Sequence, residues 1–491
     1  MYDQNMDSLV IGVDSSTQST KAAVVDAATG RLLAVGRAPH TVTGEGGARE
    51  SDPLQWWDAL GAAVAAGLKE AGADPRAVTG IAVAGQQHGL VALDRAGQPL
   101  RPALLWNDTR SAPQAAALTA ELGAPAWLGR TGSVPVASMT AAKWRWLREN
   151  EPRTAEAAAA VRLPHDYLTE RLTGTAVTDP GDASGTCWYS TATGAYDTEL
   201  LDLLALDRAL LPEVAPSGGT RVGTLTAGAA GALGLPGGIA VAAGTGDNMA
   251  AAVGLGLGAA GLLDHPAVSL GTSGTVFAAT RTRPATAALA GFAAADGHGT
   301  YLPLGCTLNC TLAVDRIAAL LGLDREDAVP GGEAVVLPYL DGERTPDLPG
   351  ASGLMTGLRH TTTPAQLLGA AYEGAVFALL RALDALPGGA GGDAPLRLVG
   401  GGARGRAWVE TVRRLSGRAV VIPRTTELVA VGAAALAAGA AGGGDPVAVA
   451  AGWRTGEGET LPAVAADRET LDRIAAVLDR ATALLTTQGH R

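Results

Sequence analysis

The residues with the clearest chemistry lie in two short turns that are rich in hydroxyl side chains. The first turn, DSSTQSTK, runs from Asp14 to Lys21, and the second lies within SLGTSG. Such turns expose backbone N–H groups that bind phosphate oxygens. Either turn alone is typical of an ordinary hairpin, but two of them, each opening a similar stretch of chain, favour nucleotide phosphate binding. The candidate phosphate contacts are Thr17, Ser19, Lys21, Gly271 and Thr272.

A carboxylate beside a phosphate site places two negative groups close together, and the usual explanation is a metal ion that binds both. Mg²⁺ is typically held by one or two protein carboxylates together with the phosphates of the substrate. Asp14 is therefore the candidate magnesium contact. The sequence has no G-x-x-x-x-G-K-[ST] segment, which excludes a Walker-type phosphate loop.

Asp247 follows an apolar strand and precedes an apolar helix in AGTGDNMAAAVG. Ligands of α/β proteins usually bind at the carboxyl ends of strands. Two roles stay open for this residue, the N-cap of the helix or a general base for a substrate hydroxyl. The segment LVGGGARG also has two interpretations, a plain turn or a backbone that a bulky ligand approaches closely. Its candidate residues are Gly400, Gly401, Gly402 and Ala403.

Two further polar turns have the composition of a polyol site. AGQQHG contains Gln87 and His88, and WNDTR contains Trp106 and Asp108. Side chains with several donors and acceptors, together with one aromatic face, are what a polyol requires. A lone histidine is more often structural, but His88 stands in a turn between two glycines.

Two other polar pairs are interpreted as structural. His165 and Asp166 lie in the apolar setting RLPHDYL and are expected to form a core hydrogen bond, with a sugar contact as the alternative. Glu343 and Arg344 lie in the proline-bracketed loop LPYLDGERTP. For this pair we expect a salt bridge, with anion binding second.

The composition narrows the functional classes. The 491 residues carry a net charge of −11, which argues against a nucleic-acid binder or an anionic-membrane binder. Three cysteines do not make a disulfide framework, and the first ten residues contain two acids and no basic residue, unlike a secretory signal. The Ala- and Gly-rich stretches 248–263 and 428–444 are expected to be core helices. We therefore predict a cytoplasmic protein with no membrane partner.

The pattern of strands and helices predicts a mixed α/β protein with two lobes. The first hairpin is followed by a third strand and by a helix that begins at Pro53 with Asp52 as its N-cap. The strand pair around SLGTSG repeats the pattern of the first hairpin. We place the lobes at 1–243 and 244–491, and two similar α/β lobes predict a cleft between them.

With these residues in view, the chain resembles the FGGY family of carbohydrate kinases from Leu9 to about Leu485. The matching motifs occur in order: DSSTQSTK, AGQQHG, WNDTR, LPHDYL, GTGDN, SLGTSG, LPYLDGERTP and GGGAR. Ser16 departs from the family, which has glycine at that position, and Gly405 replaces a small polar residue.

The resemblance implies an actin-like (ribonuclease H-like) two-domain fold that binds ATP and a sugar. It implies that Asp247 is the catalytic base on the sugar hydroxyl and also contacts the sugar, with Asp14 near magnesium. Gln87 and His88 would contact the sugar, and Trp106 and Asp108 would lie close by. Thr272 would meet the γ-phosphate, and Gly400 to Ala403 would approach the adenine nucleotide.

Within this resemblance, AGQQHG and the WND turn imply D-xylulose rather than glycerol as the substrate, with phosphorylation of its 5-hydroxyl. The alternatives are another sugar or polyol substrate, such as ribulose, gluconate or glycerol, an actin-like ATPase of the chaperone kind, and a sugar sensor without catalysis. A homodimer is a further expectation.

Overall fold

The computed structural model describes residues 8–284, 286–348, 350–389 and 392–486. The chain folds into two compact units, each assembled from three stretches. Unit 1 contains Met1–Leu263, Arg281–Leu302 and Glu427–Gly456, and unit 2 contains Asp264–Thr280, Pro303–Thr426 and Glu457–Arg491. The placement of two lobes at 1–243 and 244–491 stays a prediction. The start of the N-terminal stretch, residues 1–7, lies outside the described residues.

Strands and helices alternate along the chain as expected for a mixed α/β protein. The strands are β1 Leu9–Ser15, β2 Ser19–Asp26, β3 Leu32–Pro39, β4 Glu50–Ser51, β5 Val78–Gly85, β6 Val91–Leu93, β7 Ala103–Leu104, β8 Ala160–Arg162, β9 Val177–Thr178, β10 Tyr189–Ser190, β11 Ala195–Tyr196, β12 Glu213–Val214, β13 Arg221–Thr224, β14 Ala240–Ala242, β15 Thr245–Gly246, β16 Ala267–Leu270, β17 Gly274–Phe277, β18 Ala290–Ala293, β19 Tyr301–Thr307, β20 Val335–Leu337, β21 Leu354–Thr356, β22 Leu396–Val399, β23 Val420–Pro423 and β24 Gly458–Leu461. The α-helices are α1 Pro53–Ala71, α2 Ala112–Leu122, α3 Ala124–Thr131, α4 Thr140–Asn150, α5 Pro152–Ala157, α6 Pro164–Thr173, α7 Pro180–Ala183, α8 Thr198–Leu203, α9 Ala227–Leu233, α10 Asp247–Gly254, α11 Thr311–Leu321, α12 Pro364–Asp384, α13 Arg406–Ser416, α14 Leu428–Gly442, α15 Pro446–Trp453 and α16 Arg468–Thr486.

Unit 1 is built around a sheet with the strand order β13-β14-β5-β1-β2-β3, and β15 continues beside β5. Strand β1 pairs antiparallel with β2 and parallel with β5. All seven residues of β1 are buried, which is typical of a strand covered on both faces. Helix α14 packs against β1 so closely that a Cβ on Gly12 would lie 1.9 Å from the carbonyl oxygen of Ala430. Glycine at this position therefore lets the helix approach the sheet.

Helix α1 forms where the sequence predicts it. Asp52 is the N-cap, and its carboxylate accepts a hydrogen bond from the amide of Leu54 at 3.0 Å. Pro53 is the first helical residue, where the missing N–H costs no hydrogen bond. The helix buries Trp56 and Leu60 among the core residues and packs on β2 and β3. Those strands thereby hold the first hydroxyl-rich turn on a rigid support.

Unit 2 repeats the arrangement of the first hairpin. Strand β16 pairs antiparallel with β17 and parallel with β22, as β1 pairs with β2 and β5. The sheet continues on the far side of β22 through β23 and β24. Helix α12 is buried along most of its length and packs on β17 and β20. The predicted internal repeat is therefore present in the structure.

No single helix among the residues that the structure describes is long and apolar enough to cross a membrane. Helices α14 and α15 meet the length and composition criteria only as a pair, and they are bent by 119° relative to each other.

Candidate active site

Asp247 lies at the end of the short strand β15, which pairs in parallel with the last residues of β5. It is the first residue of α10, and Gly246 occupies the N-cap position. The backbone amide of Asn248 and its side-chain amide both donate to Oδ1 of Asp247, at 2.8 and 3.0 Å. Asp247 is therefore not the N-cap of the helix, and neither Asn248 bond uses its second carboxylate oxygen, Oδ2.

The environment of Asp247 suits a general base. Burial and the charge of Asp14 together raise the pKa of its carboxyl group to about 7, against the opposing effect of the Asn248 donors. A base works best when its pKa lies near the working pH, because it is then ionised and still binds the transferred proton well. This carboxylate can therefore accept a proton from a bound hydroxyl near neutral pH.

Asp14 lies at the end of β1, directly opposite Lys21 across the first hairpin. Its Oδ2 is 3.4 Å from Nζ of Lys21, and the Ser16 hydroxyl donates to its Oδ1 at 2.5 Å. Ser16, the departure from the family motif, therefore holds the carboxylate. Burial raises the pKa of Asp14 above its ordinary value, against the opposing effect of Lys21.

Lys21 has a second acidic partner that sequence analysis missed. Its Nζ donates to Oε2 of Glu427 at 2.7 Å, and the two residues are 406 positions apart in the sequence. Burial alone would lower the pKa of Lys21, but Asp14 and Glu427 outweigh that effect and raise it. Lys21 is therefore cationic at neutral pH and is held next to the first hydroxyl-rich turn, opposite Asp14.

The surroundings of Asp14 suit a metal ion that arrives with a nucleotide. In the part of the chain that the structure describes, no three His, Cys, Asp or Glu side chains come together as a metal site. An ion that arrives with a nucleotide needs only one or two protein carboxylates, because phosphates and water supply the other ligands. The single buried carboxylate of Asp14, next to the hydroxyl-rich turn, fits an ion of that kind.

The structure brings one residue of the WND turn to the first hydroxyl-rich turn. The indole N–H of Trp106 donates to the hydroxyl of Thr17 at 3.0 Å. The turn itself is closed by a hydrogen bond from the amide of Ser16 to the carbonyl of Ser19. Trp106 is 41% exposed, which leaves much of its ring available to a ligand.

Gln87 and His88 follow β5, and Gln87 reaches the start of α10. The side-chain amide of Asn248 donates to Oε1 of Gln87 at 2.8 Å, and the same group binds Oδ1 of Asp247. Asn248 therefore connects a predicted sugar contact with the predicted base. His88 has a φ angle of 65°, a left-handed conformation that is uncommon for residues other than glycine and that occurs often at functional sites. Its ring packs beside Phe292, with centroids 5.6 Å apart.

Asp108 holds the WND turn together. Its carboxylate accepts hydrogen bonds from the guanidinium of Arg110 and from the backbone amide of Arg49, and it is only 2% exposed. Burial raises its pKa, but these donors outweigh burial and hold the pKa below the ordinary value. Asp108 is therefore an anchor of the turn that carries Trp106, with its oxygens engaged by the protein.

In unit 2, Gly271 and Thr272 form the turn between β16 and β17. The carbonyl of Gly271 accepts hydrogen bonds from the amide and the hydroxyl of Thr311, at 3.0 and 2.8 Å. These bonds attach the turn to the start of α11. The predicted phosphate contacts of this unit therefore lie on a fixed loop.

The glycine segment of unit 2, Gly400 to Gly402, packs against Leu270, the last residue of β16. Gly400 follows β22 with φ of 85°, and a Cβ there would lie 2.8 Å from the carbonyl oxygen of Leu270. Gly402 and Ala403 are buried in the short 3₁₀ turn that follows, whereas a Cβ on Gly401 would meet no atom within 4 Å. Packing thus accounts for Gly400 and Gly402, and Gly401 leaves open backbone for a ligand.

The salt bridge expected for Glu343 is wrong. The buried carboxylate of Glu343 instead accepts hydrogen bonds from the backbone amides of Leu308, Asn309 and Arg344, at 2.6, 3.2 and 2.7 Å. Several backbone amides that point at one carboxylate satisfy it as well as a cation does. Glu343 therefore orders the loop that leads into α11.

Most of the chain matches two domain models of one protein family. Residues 9–254 match the N-terminal domain of the FGGY family of carbohydrate kinases, and residues 267–441 match its C-terminal domain. The chain belongs to the FGGY family of carbohydrate kinases.

The relatives are more specific than the family. The chain is 59% identical to the xylulose kinase of Streptomyces rubiginosus over 483 residues, or 97% of both chains. A crystal structure of a xyloylose kinase from Brucella ovis superposes with a TM-score of 0.86 at 32% identity, covering 97% of this chain and 98% of that one. The xylulose kinase structure from Bifidobacterium adolescentis gives 0.80 at 33% identity, covering 96% and 100%. The predicted fold class, a mixed α/β kinase fold of the actin-like type, is confirmed.

Proposed function

We propose that this protein transfers the γ-phosphoryl group of ATP to the 5-hydroxyl of D-xylulose, giving D-xylulose 5-phosphate and ADP. The family supports the use of ATP and of a sugar, and the 59% identity to a protein named xylulose kinase supports the particular sugar. The observation that carries the proposal is the position of Asp247, a carboxylate with a pKa near 7 that Asn248 connects to Gln87.

Asp247 acts as the general base. Its Oδ2 accepts the proton of the sugar hydroxyl while that oxygen forms a bond to the γ-phosphorus. The bond between the γ-phosphorus and the bridging oxygen of ADP breaks, and ADP carries away the electron pair. Phosphoryl transfer depends mainly on positioning and on charge neutralisation. The other residues of the site supply these two effects.

The sugar is positioned by unit 1. Gln87 and His88 bind its hydroxyl groups, and the exposed ring of Trp106 covers one face. Asp108 lies close by and supports the sugar site through the turn that it anchors to Arg110. The hydrogen bond from the side-chain amide of Asn248 to Gln87 fixes the position of the sugar contact relative to the base.

The nucleotide is bound by the hydroxyl-rich turns and the glycine segment. Lys21 neutralises phosphate charge, and the turn residues Thr17, Ser19, Gly271 and Thr272 offer hydrogen bonds to phosphate oxygens. Gly400, Gly401, Gly402 and Ala403 lie against the adenine nucleotide. Asp14 would hold the magnesium ion that neutralises the phosphates when it is bound. We also propose that the protein works in the cytoplasm and assembles as a homodimer.

The test is ADP release from Mg-ATP with D-xylulose, D-ribulose, L-ribulose, gluconate and glycerol measured side by side. The proposal predicts dominant turnover on D-xylulose. Dominant turnover on another sugar would refute the assignment of the sugar and leave Asp247 as the base. ADP release that ignores every sugar would refute the kinase proposal as a whole.

A further inference from the structure

A buried cluster of one histidine and three aspartates lies in unit 1, next to the predicted sugar site. Nδ1 of His165 is 2.7 Å from Oδ2 of Asp182, and its Nε2 is 3.2 Å from Asp166 and 3.8 Å from Asp179. The exposed fraction of each of the four residues is 1% or less. Three carboxylates are more than a single core hydrogen bond requires, because buried charge is costly unless it is paired.

The cluster carries a histidine that is protonated at neutral pH. Burial lowers the pKa of His165, but Asp166, Asp182 and Asp179 outweigh burial and raise it to about 9. The imidazolium therefore offsets one carboxylate charge, and Asp182 makes the shortest contact with it. His165 thus holds Asp182 in one orientation.

Asp182 faces the residues that the sugar site uses. A Cβ built on Gly246 would lie 3.2 Å from Oδ1 of Asp182 and 2.6 Å from Cγ of Gln87. Both side chains therefore lie against the same face of Gly246, directly before Asp247. Nε2 of Gln87 and Oδ1 of Asp182 are both buried and make no hydrogen bond within the part of the chain that the structure describes. Gln87 lowers the pKa of Asp182, against the stronger effect of burial.

A second contact joins the cluster to the same turn. The hydroxyl of Thr245 donates to Oδ2 of Asp179 at 2.8 Å, and Asp179 also caps α7, which contains Asp182. Asp179, the N-cap of α7, thus contacts Thr245, and Asp182 within α7 lies against Gly246. Thr245 and Gly246 are the two residues of β15. Asp247 follows immediately, so displacement of the cluster moves the base.

We propose that Asp182, held by His165, is a positioning residue for sugar binding: it orients Gln87 and fixes the turn before Asp247. The proposal rests on the roles proposed above for Gln87 and Asp247. The charged groups that face Asp247 are Asp14 from β1 and Asp182 from α7, with Asn248 donating from its own helix and Asp166, Asp179 and His165 lying behind Asp182. Removal of the Asp182 charge should therefore make Asp247 easier to ionise.

The experiment is steady-state kinetics of Asp182→Asn over a range of pH. The variant keeps the size of the side chain and an oxygen that can accept from His165. We expect the KM for D-xylulose to rise about tenfold, the scale of one lost hydrogen bond, with the KM for ATP unchanged. We also expect the acid limb of the pH profile of kcat to move to lower pH.

The matched control is Asp166→Asn, which contacts the same histidine but faces the amide of Leu163. It should lower the melting temperature and leave both KM values and the acid limb unchanged. If Asp182→Asn fails to fold, His165→Gln replaces it and should raise the KM for D-xylulose while the KM for ATP stays constant.

An unchanged sugar KM and acid limb in a folded Asp182→Asn would overturn the proposal, as would an equal sugar KM increase in Asp166→Asn. For His165→Gln, equal changes in both KM values would overturn it. Failure of the proposed function is distinguishable, because the wild type would then lack D-xylulose-dependent ADP release or Asp247→Asn would keep its turnover.

Discussion

Replacement of Asp247 by asparagine is expected to stabilise unit 1 at alkaline pH. The pKa of the Asp247 carboxyl group is about 7 in the folded chain and near its ordinary value of 3.8 in the unfolded chain. The folded state therefore binds the proton more tightly than the unfolded state does. Above pH 7 the ionised carboxylate costs the fold free energy, and this cost disappears as the pH falls from 7 towards 4.

The magnitude follows from the difference between the two pKa values. A shift of about three units corresponds to ~4 kcal/mol if the group is fully withdrawn from water. Asp247 keeps part of its surface exposed, and solvent screening reduces the figure, so we expect about 1–2 kcal/mol at pH 8. A free-energy change of 1 kcal/mol shifts the melting temperature by roughly 2–4 °C in a domain of about 150–250 residues, and by less in a larger one such as unit 1.

The assay is thermal unfolding of wild type and Asp247→Asn at pH 8 and at pH 5.5. We expect the variant to melt higher at pH 8, by an amount that shrinks at pH 5.5. The control is Asp26→Asn, because Thr29 and Ala28 donate to Asp26 and hold its pKa below the ordinary value, so loss of that charge should lower the melting temperature. An Asp247→Asn variant that melts at or below the wild-type temperature at pH 8 would refute the reasoning.

Two further predictions concern the residues that support the site. Glu427→Gln is expected to raise the KM for ATP about two- to fivefold and to leave the KM for D-xylulose unchanged, because Lys21 loses its closest charged partner. Steady-state kinetics with each substrate varied in turn measures this. Gly432→Ala is expected to lower the melting temperature by several degrees, because its Cβ would lie 1.9 Å from the carbonyl oxygen of Ala250 on the helix that begins at Asp247, and overpacking costs about 1–3 kcal/mol. Thermal unfolding measures this effect.

Each of these predictions has a matched control. Arg37 is the more exposed partner of Glu427, so Arg37→Ala should keep the wild-type KM for ATP. A Cβ on Gly442 would meet no atom within 4 Å, so Gly442→Ala should keep or raise the melting temperature. An unchanged ATP KM in Glu427→Gln, or equal stability of the two alanine variants, would contradict the corresponding prediction.

The parts of the fold that were predictable from sequence are those that local chemistry determines. The Asp52–Pro53 start of α1 follows from capping rules, and the two hairpins follow from apolar stretches separated by small polar residues. The position of Asp247 at the junction of a strand and a helix was equally local. In each case the residues that decide the structure are neighbours in the sequence.

The partners of charged side chains were not predictable in this way. Glu427 binds Lys21 from 406 residues away, and Asp182 reaches the Gln87 turn only because α7 packs beside β15. Glu343 was expected to pair with a cation, but the backbone amides of Leu308 and Asn309 bind it instead. Such pairings depend on which elements pack together, and a single sequence does not state that.

The most direct test of the account is the turnover of Asp247→Asn at saturating ATP and D-xylulose, with the affinity for D-xylulose measured in the same preparation. The account predicts that kcat falls by about 10²- to 10⁴-fold, the usual contribution of a general base, while the sugar still binds. A kcat within tenfold of the wild-type value, in a variant that binds D-xylulose normally, would contradict the assignment of Asp247 as the base.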